Sequence, residues 1–64
     1  MTEAERLQLK AEWVAAEDNV DAISEALVSA VRAHLEFATI DKIVGEYRKA
    51  SSVAIYKHSL LLKR

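Results

Sequence analysis

The sequence predicts an all-α protein, in which a long helix and a shorter helix form an antiparallel hairpin that dimerises into a four-helix bundle. Three observations lead to this prediction: heptad spacing in both halves, one glycine and no proline, and opposite charge in the two halves. The 64 residues predict a single helical domain over 1–64. Chains this short bury little surface and usually need a disulfide, a metal or self-association. Without cysteine, self-association is the expected stabiliser.

The first half carries apolar residues at alternating spacings of four and three, which keep one side of a helix facing a partner. These heptad positions are Leu9, Trp13, Ala16, Val20, Ile23, Leu27, Ala30 and His34. A second apolar line runs beside them through Leu7, Val14, Val28 and Leu35, interrupted by Asp21. The apolar stripe is therefore wide enough for neighbours on two sides, as in a bundle.

The first helix is predicted over about 3–37. Thr2 and Glu5 have the spacing of a capping box, and strong helix formers follow. The weakest point is Asp18-Asn19, where Asp18 could cap a new helix. A break there gives the alternative, a three-helix monomer.

The second helix is predicted over about 40–62, after a turn at residues 38–40 with Thr39 as N-cap. Its heptad positions are Ile40, Val44, Tyr47, Ser51, Ala54, His58 and Leu61. Gly45 inside this helix is expected to allow close contact between the helices. The β-branched run 53–56 leaves a strand as a minor alternative.

A turn near residue 39 places His58 opposite Val20 and leaves the start of the first helix uncovered. Leu7, Leu9 and Trp13 would then be exposed in a row, which is unusual for large apolar side chains. We therefore expect a second copy of the chain to cover them. The predicted self-association residues are Leu7, Leu9, Trp13, Val14, Val20, Leu61 and Leu62.

Charge is divided between the halves: residues 1–31 carry −5 and residues 32–64 carry +4. Pairing of the two helices within a hairpin is the simpler explanation, and a basic segment that meets nucleic acid or an acidic protein is the alternative. The candidate nucleic-acid contacts are Lys42, Arg48, Lys49 and Lys57, with Tyr47 and Tyr56 nearby.

No catalytic motif is present, and we expect no enzymatic activity, cofactor or metal. The acidic residues fall on a solvated helix face, and the serines lack a neighbouring base. His34 and His58, the candidates for acid–base chemistry, fall at distant heptad positions and are expected to be structural. There is no phosphate-binding loop and no zinc or calcium motif.

No segment is apolar enough to span a bilayer, and contact of residues 56–64 with a membrane surface is a weaker alternative. The first residues lack the features of a secretory signal, so the default expectation is a cytoplasmic protein. The predicted function is a non-enzymatic helical interaction or regulatory protein that self-associates and binds another macromolecule, an unidentified protein partner above all. The alternative is a small nucleic-acid-binding regulator that uses the basic second helix.

Overall fold

The computed structural model describes residues 2–62 as two antiparallel α-helices, α1 (Glu3–Arg32) and α2 (Phe37–Leu62). The molecule is a rod of 48 × 13 × 11 Å. The predicted helical hairpin is confirmed. Because α1 runs without a break through Asp18 and Asn19, the three-helix alternative is wrong, and residues 53–56 are helical rather than a strand.

The start of α1 has the predicted cap. Thr2 is extended, and its hydroxyl accepts a hydrogen bond from the Glu5 amide at 3.1 Å. The Glu5 carboxylate contacts the same hydroxyl at 3.2 Å. Acidic residues in the first turn also suit the positive end of the helix dipole. The Thr2 cap and the acidic residues of the first turn therefore define where α1 begins.

The first helix ends at Arg32, five residues before its predicted end. His34 adopts a left-handed conformation with φ of 55°. The amide of His34 donates to the Val31 carbonyl, and the amide of Leu35 donates to the Ala30 carbonyl, both at 3.1 Å. This is the Schellman pattern that closes helices, usually with glycine at the left-handed position. His34 therefore ends α1 instead of extending its heptad.

The second helix begins at Phe37, so the prediction of Thr39 as its N-cap is wrong. The carbonyl of Glu36 accepts from the amides of Thr39 and Ile40, at 3.0 and 3.1 Å. Thr39 thus lies in the first turn of α2. Because the Schellman bonds complete the turn within residues 33–36, the chain is already directed into α2 before it reaches Thr39.

Replacement of His34 by glycine is expected to stabilise the protein by about 0.5–1 kcal/mol, because the left-handed conformation costs a residue with a side chain more than it costs glycine. Urea unfolding followed by circular dichroism measures the effect. The matched control is Ala33→Gly, one residue earlier, where the backbone is right-handed at φ of −80°. That control should lose stability, and a loss of similar size in His34→Gly would contradict the observed turn.

The helices pack through their heptad positions, with the smallest side chains most deeply enclosed. Ala30, Ala50 and Ala54 are the buried hydrophobic residues of the described chain, with Ala30 only 3% exposed. The larger heptad residues of α1 from Leu9 to Leu27 are half-buried. Alanine contacts allow the helix axes to approach closely, but they remove little apolar surface from water. The hairpin alone therefore has a thin core.

The position of the turn changes which residues face each other. Glu12 lies opposite Lys57 and Trp13 lies opposite His58, whereas the sequence analysis placed His58 opposite Val20. Continuing this register brings the end of α2 level with Leu7, because antiparallel helices advance equally in opposite directions. The predicted exposure of this end of α1 is therefore wrong for Leu9 and Trp13, which are half-buried, whereas Leu7 is 58% exposed as predicted. The turn begins at residue 33 instead of residue 38, and this shift allows α2 to extend to that end of α1.

Gly45 does not serve the close helix contact that was expected of it. It is exposed, and a Cβ atom built there meets no other atom within 4 Å. Gly45→Ala is expected to raise the free energy of unfolding by about 1 kcal/mol, since alanine favours the helix and encounters no obstacle. Urea unfolding measures this free energy. The control is Ser52→Ala on the exposed side of the same helix, for which we expect a smaller gain in stability. A destabilised Gly45→Ala variant would contradict this placement.

Candidate interaction surface

One side of the hairpin is polar and built from small residues. The Lys57 ammonium and the Glu12 carboxylate form an ion pair at 3.5 Å, with both side chains partly exposed. Steps of four and three residues from this pair lead to Ala16 and Asn19 on α1, and to Val53 and Ala50 on α2. These four residues help to line a shallow groove between the helices. We call this side the Glu12 face.

The opposite side is marked by an aromatic contact. The rings of Trp13 and His58 lie 5.0 Å apart between centroids, tilted by 39°. The Trp13 indole N–H donates to the Glu17 carboxylate at 3.2 Å. The indole N–H and the imidazole remain near solvent. The contact between the two rings places Trp13 of α1 opposite His58 of α2.

Large apolar residues extend this second side along the length of the hairpin. From Trp13, a step of seven residues along α1 reaches Val20, and the apolar line through Leu7, Val14 and Val28 borders this side. Along α2, Ile55 and Leu62 lie three residues before and four residues after His58, and Val44 and Phe37 follow towards the turn at heptad spacing. We call this side the Trp13 face. Its members are Trp13, Val20, Val28 and Val31 of α1, and Phe37, Val44, Ile55, His58 and Leu62 of α2.

The Trp13 face holds the most exposed apolar side chains in the described part of the chain. Phe37 is 82% exposed, Ile55 71% and Leu62 68%, and Val28 and Val31 are about half exposed. Large apolar side chains exposed together on one side of a soluble protein are typical of an interaction surface. Of this line on α2, Val44 was predicted as a heptad position and Leu62 as a self-association residue, but Phe37 and Ile55 were not assigned to the association surface. Their signal was a second heptad line on α2, equivalent to the line recognised on α1.

The seven predicted self-association residues divide into two groups. Leu7, Val14 and Leu62 are exposed. Leu9, Trp13, Val20 and Leu61 are half-buried, since they also contribute to packing within the hairpin. Six of the seven lie in the half of the rod away from the turn, and Val20 lies just past its middle, so the turn end of the Trp13 face was not represented among them.

The four candidate nucleic-acid contacts do not form one surface. Lys57 pairs with Glu12 on the Glu12 face. Lys42 and Lys49, seven residues apart, share the outer side of α2 with Tyr56, and Lys49 also lines the groove of the Glu12 face. Arg48 points about 100° away from Lys49, because consecutive helix residues are separated by that rotation, and it lies at the edge of the Trp13 face. Two lysines and a tyrosine therefore remain together on one side.

The two histidines are separated along the hairpin. His34 lies in the turn, and His58 stacks on Trp13 far from it. Over residues 2–62 there is no cluster of three or more side chains suited to hold a metal ion. Neither α1 nor α2 is long and apolar enough to cross a membrane. Of the segment 56–64 considered for membrane contact, Lys63 and Arg64 lie outside the described residues.

Comparison of the chain with protein-family models, with curated proteins and with solved structures finds no match. The fold and the surface described above are therefore the basis for any functional interpretation.

Proposed function

We propose that this chain is a non-enzymatic interaction protein, which self-associates through the Trp13 face and presents its outer surfaces to another macromolecule. One observation carries the proposal. Among the described residues, ten large apolar side chains are 45–82% exposed, whereas only three alanines form the buried core. A hairpin with this distribution gains most of its stability when a second apolar surface covers it.

Self-association through this face is tested by thermal unfolding at different chain concentrations. Because unfolding of a dimer is coupled to dissociation, the midpoint should rise clearly over a roughly hundredfold increase in concentration. A midpoint that stays constant over this range, in a protein that unfolds cooperatively, overturns the proposal. The control is an Ile55→Asp variant, whose midpoint should be lower and less dependent on concentration.

The second candidate function is binding of a nucleic-acid backbone by the outer side of α2. The supporting observation is the alignment of Lys42 and Lys49 with Tyr56, away from the Trp13 face and, over residues 2–62, outside any ion pair. Phosphates are bound by such rows of cations, and bases stack on aromatic rings. This surface stays accessible in a dimer that uses the Trp13 face.

Nucleic-acid binding is tested with a fluorescent single-stranded RNA and a DNA duplex at low salt. Binding should weaken steeply with salt and be lost in the double variant Lys42→Glu, Lys49→Glu. The matched control is Lys57→Glu, because Lys57 is already paired with Glu12. Absence of binding at low salt, or binding that survives reversal of both lysines, overturns this candidate.

A further inference from the structure

The charges beside the Trp13 face specify how two copies would be arranged, an inference that rests on the proposed self-association. Two hairpins that pack through the same face can have their turns at the same end or at opposite ends. Either arrangement makes every neighbouring helix antiparallel. In the first, each α1 packs on α2 of the second copy. In the second, each α1 packs on α1.

One apolar line runs along α1 through Leu7, Val14 and Val28, and another runs along α2 through Ile55 and Leu62. Each line is interrupted by one charged residue, and the two charged residues lie at the same level of the rod. Nine residues beyond Glu12 lies Asp21, and nine residues before Lys57 lies Arg48. Asp21 therefore stands level with Arg48. Both are exposed, and within residues 2–62 they form no salt bridge with each other. Their charges are available to a second copy.

Apolar residues match at the same levels. Two residues beyond Glu12 lies Val14, level with Ile55, and five residues before Glu12 lies Leu7, level with Leu62. All four side chains are exposed in the hairpin. With the turns at the same end, α1 of one copy meets α2 of the other at this register. Leu7 of one copy then faces Leu62 of the other, and Val14 faces Ile55. At the same register, Asp21 faces Arg48.

The opposite arrangement brings like charges together. Glu17 and Asp21 lie near the middle of the rod on the side of α1 that borders the Trp13 face. With the turns at opposite ends and the rods overlapping fully, these acids of one copy meet the same acids of the other. Like charges placed against each other across an interface disfavour that orientation.

We infer that the occupant of the Trp13 face is a second copy of this chain with its turn at the same end, and that Asp21 pairs with Arg48 of the second copy. The dimer is a four-helix bundle with a twofold axis along its length. The acidic α1 and the basic α2 of the two copies alternate around it.

Charge exchange between two variants tests the inference. Asp21→Arg alone places arginine against Arg48, and Arg48→Asp alone places aspartate against Asp21, so each variant should dimerise on the order of tenfold more weakly. When the two variants are mixed, both pairings become favourable between unlike chains. Native mass spectrometry should then show a predominant heterodimer. Pairing within one chain cannot produce this result. Tighter homodimers of Asp21→Arg, as relief of acidic repulsion would give, overturn the inference.

A distance measurement provides an independent test that does not depend on charge. The chain has no cysteine, so Glu36→Cys introduces a single site for a spin label in the turn. Labels at the same end should lie within roughly 20–30 Å, given helix separations of 8–10 Å. Labels at opposite ends should be separated by about the length of the rod, 48 Å. A dimer with the long distance overturns the arrangement alone, whereas a wild-type monomer overturns the proposed self-association itself.

Discussion

Ile55→Asp is expected to weaken self-association about 30-fold or more, the loss that follows removal of a central contact worth about 2 kcal/mol. Ile55 is 71% exposed in the hairpin, so it contributes little to the stability of a single chain. On the Trp13 face, an aspartate at this position would have to be buried against apolar residues of the second copy. A buried carboxylate without a partner is strongly unfavourable.

The adjacent residue provides the control for this variant. Tyr56 is also more than half exposed, but it lies on the outer side of α2. Tyr56→Asp introduces the same residue into the same helix, and dimer dissociation should change by less than about threefold. Analytical ultracentrifugation measures both dissociation constants. Equal effects of the two substitutions would show that helix propensity, rather than the Trp13 face, governs association.

Trp13→Ala is expected to lower the free energy of unfolding by about 2–3 kcal/mol. This is less than the 3–5 kcal/mol typical of a fully buried tryptophan, because Trp13 is half-buried. The substitution removes the ring that packs on His58 and the hydrogen bond to Glu17. Trp13→Phe keeps an aromatic ring at the position and should lose roughly 1 kcal/mol.

The control for the tryptophan substitution is Val53→Ala, on the Glu12 face of α2. Val53 is 49% exposed and lies away from the Trp13 face, so its loss should stay below about 1 kcal/mol. Urea unfolding is measured for all variants at one chain concentration, since association contributes to apparent stability. Surface substitutions usually change the free energy of unfolding by less than about 0.5 kcal/mol. A Trp13→Ala variant whose free energy of unfolding stays within that range of the wild type would contradict the contact with His58.

The helices and their contacting sides could be predicted from the sequence because both rest on a periodic signal. The heptad positions from Leu9 to Ala30 and from Ile40 to Ala54 do face the interhelical contact, and the Thr2 cap forms as predicted. Each of these features is local or repeats many times, so individual exceptions do not obscure it.

The register could not be predicted, because it depends on one residue that carries no strong signal. The turn contains neither glycine nor proline, and His34 takes the left-handed position that glycine usually occupies. The heptad periodicity therefore predicts an α1 that continues beyond Arg32, with a displaced pairing of the helices. As a result, the unpaired apolar surface was assigned to one end of α1, although it extends along the whole Trp13 face.

The central claim is that the hairpin is completed by a second copy of the chain, and sedimentation equilibrium of the wild-type protein tests it most directly. At micromolar concentrations and above, we expect the mass of two chains, with dissociation to single chains only on dilution. A stable, folded single chain throughout the same range would contradict the claim.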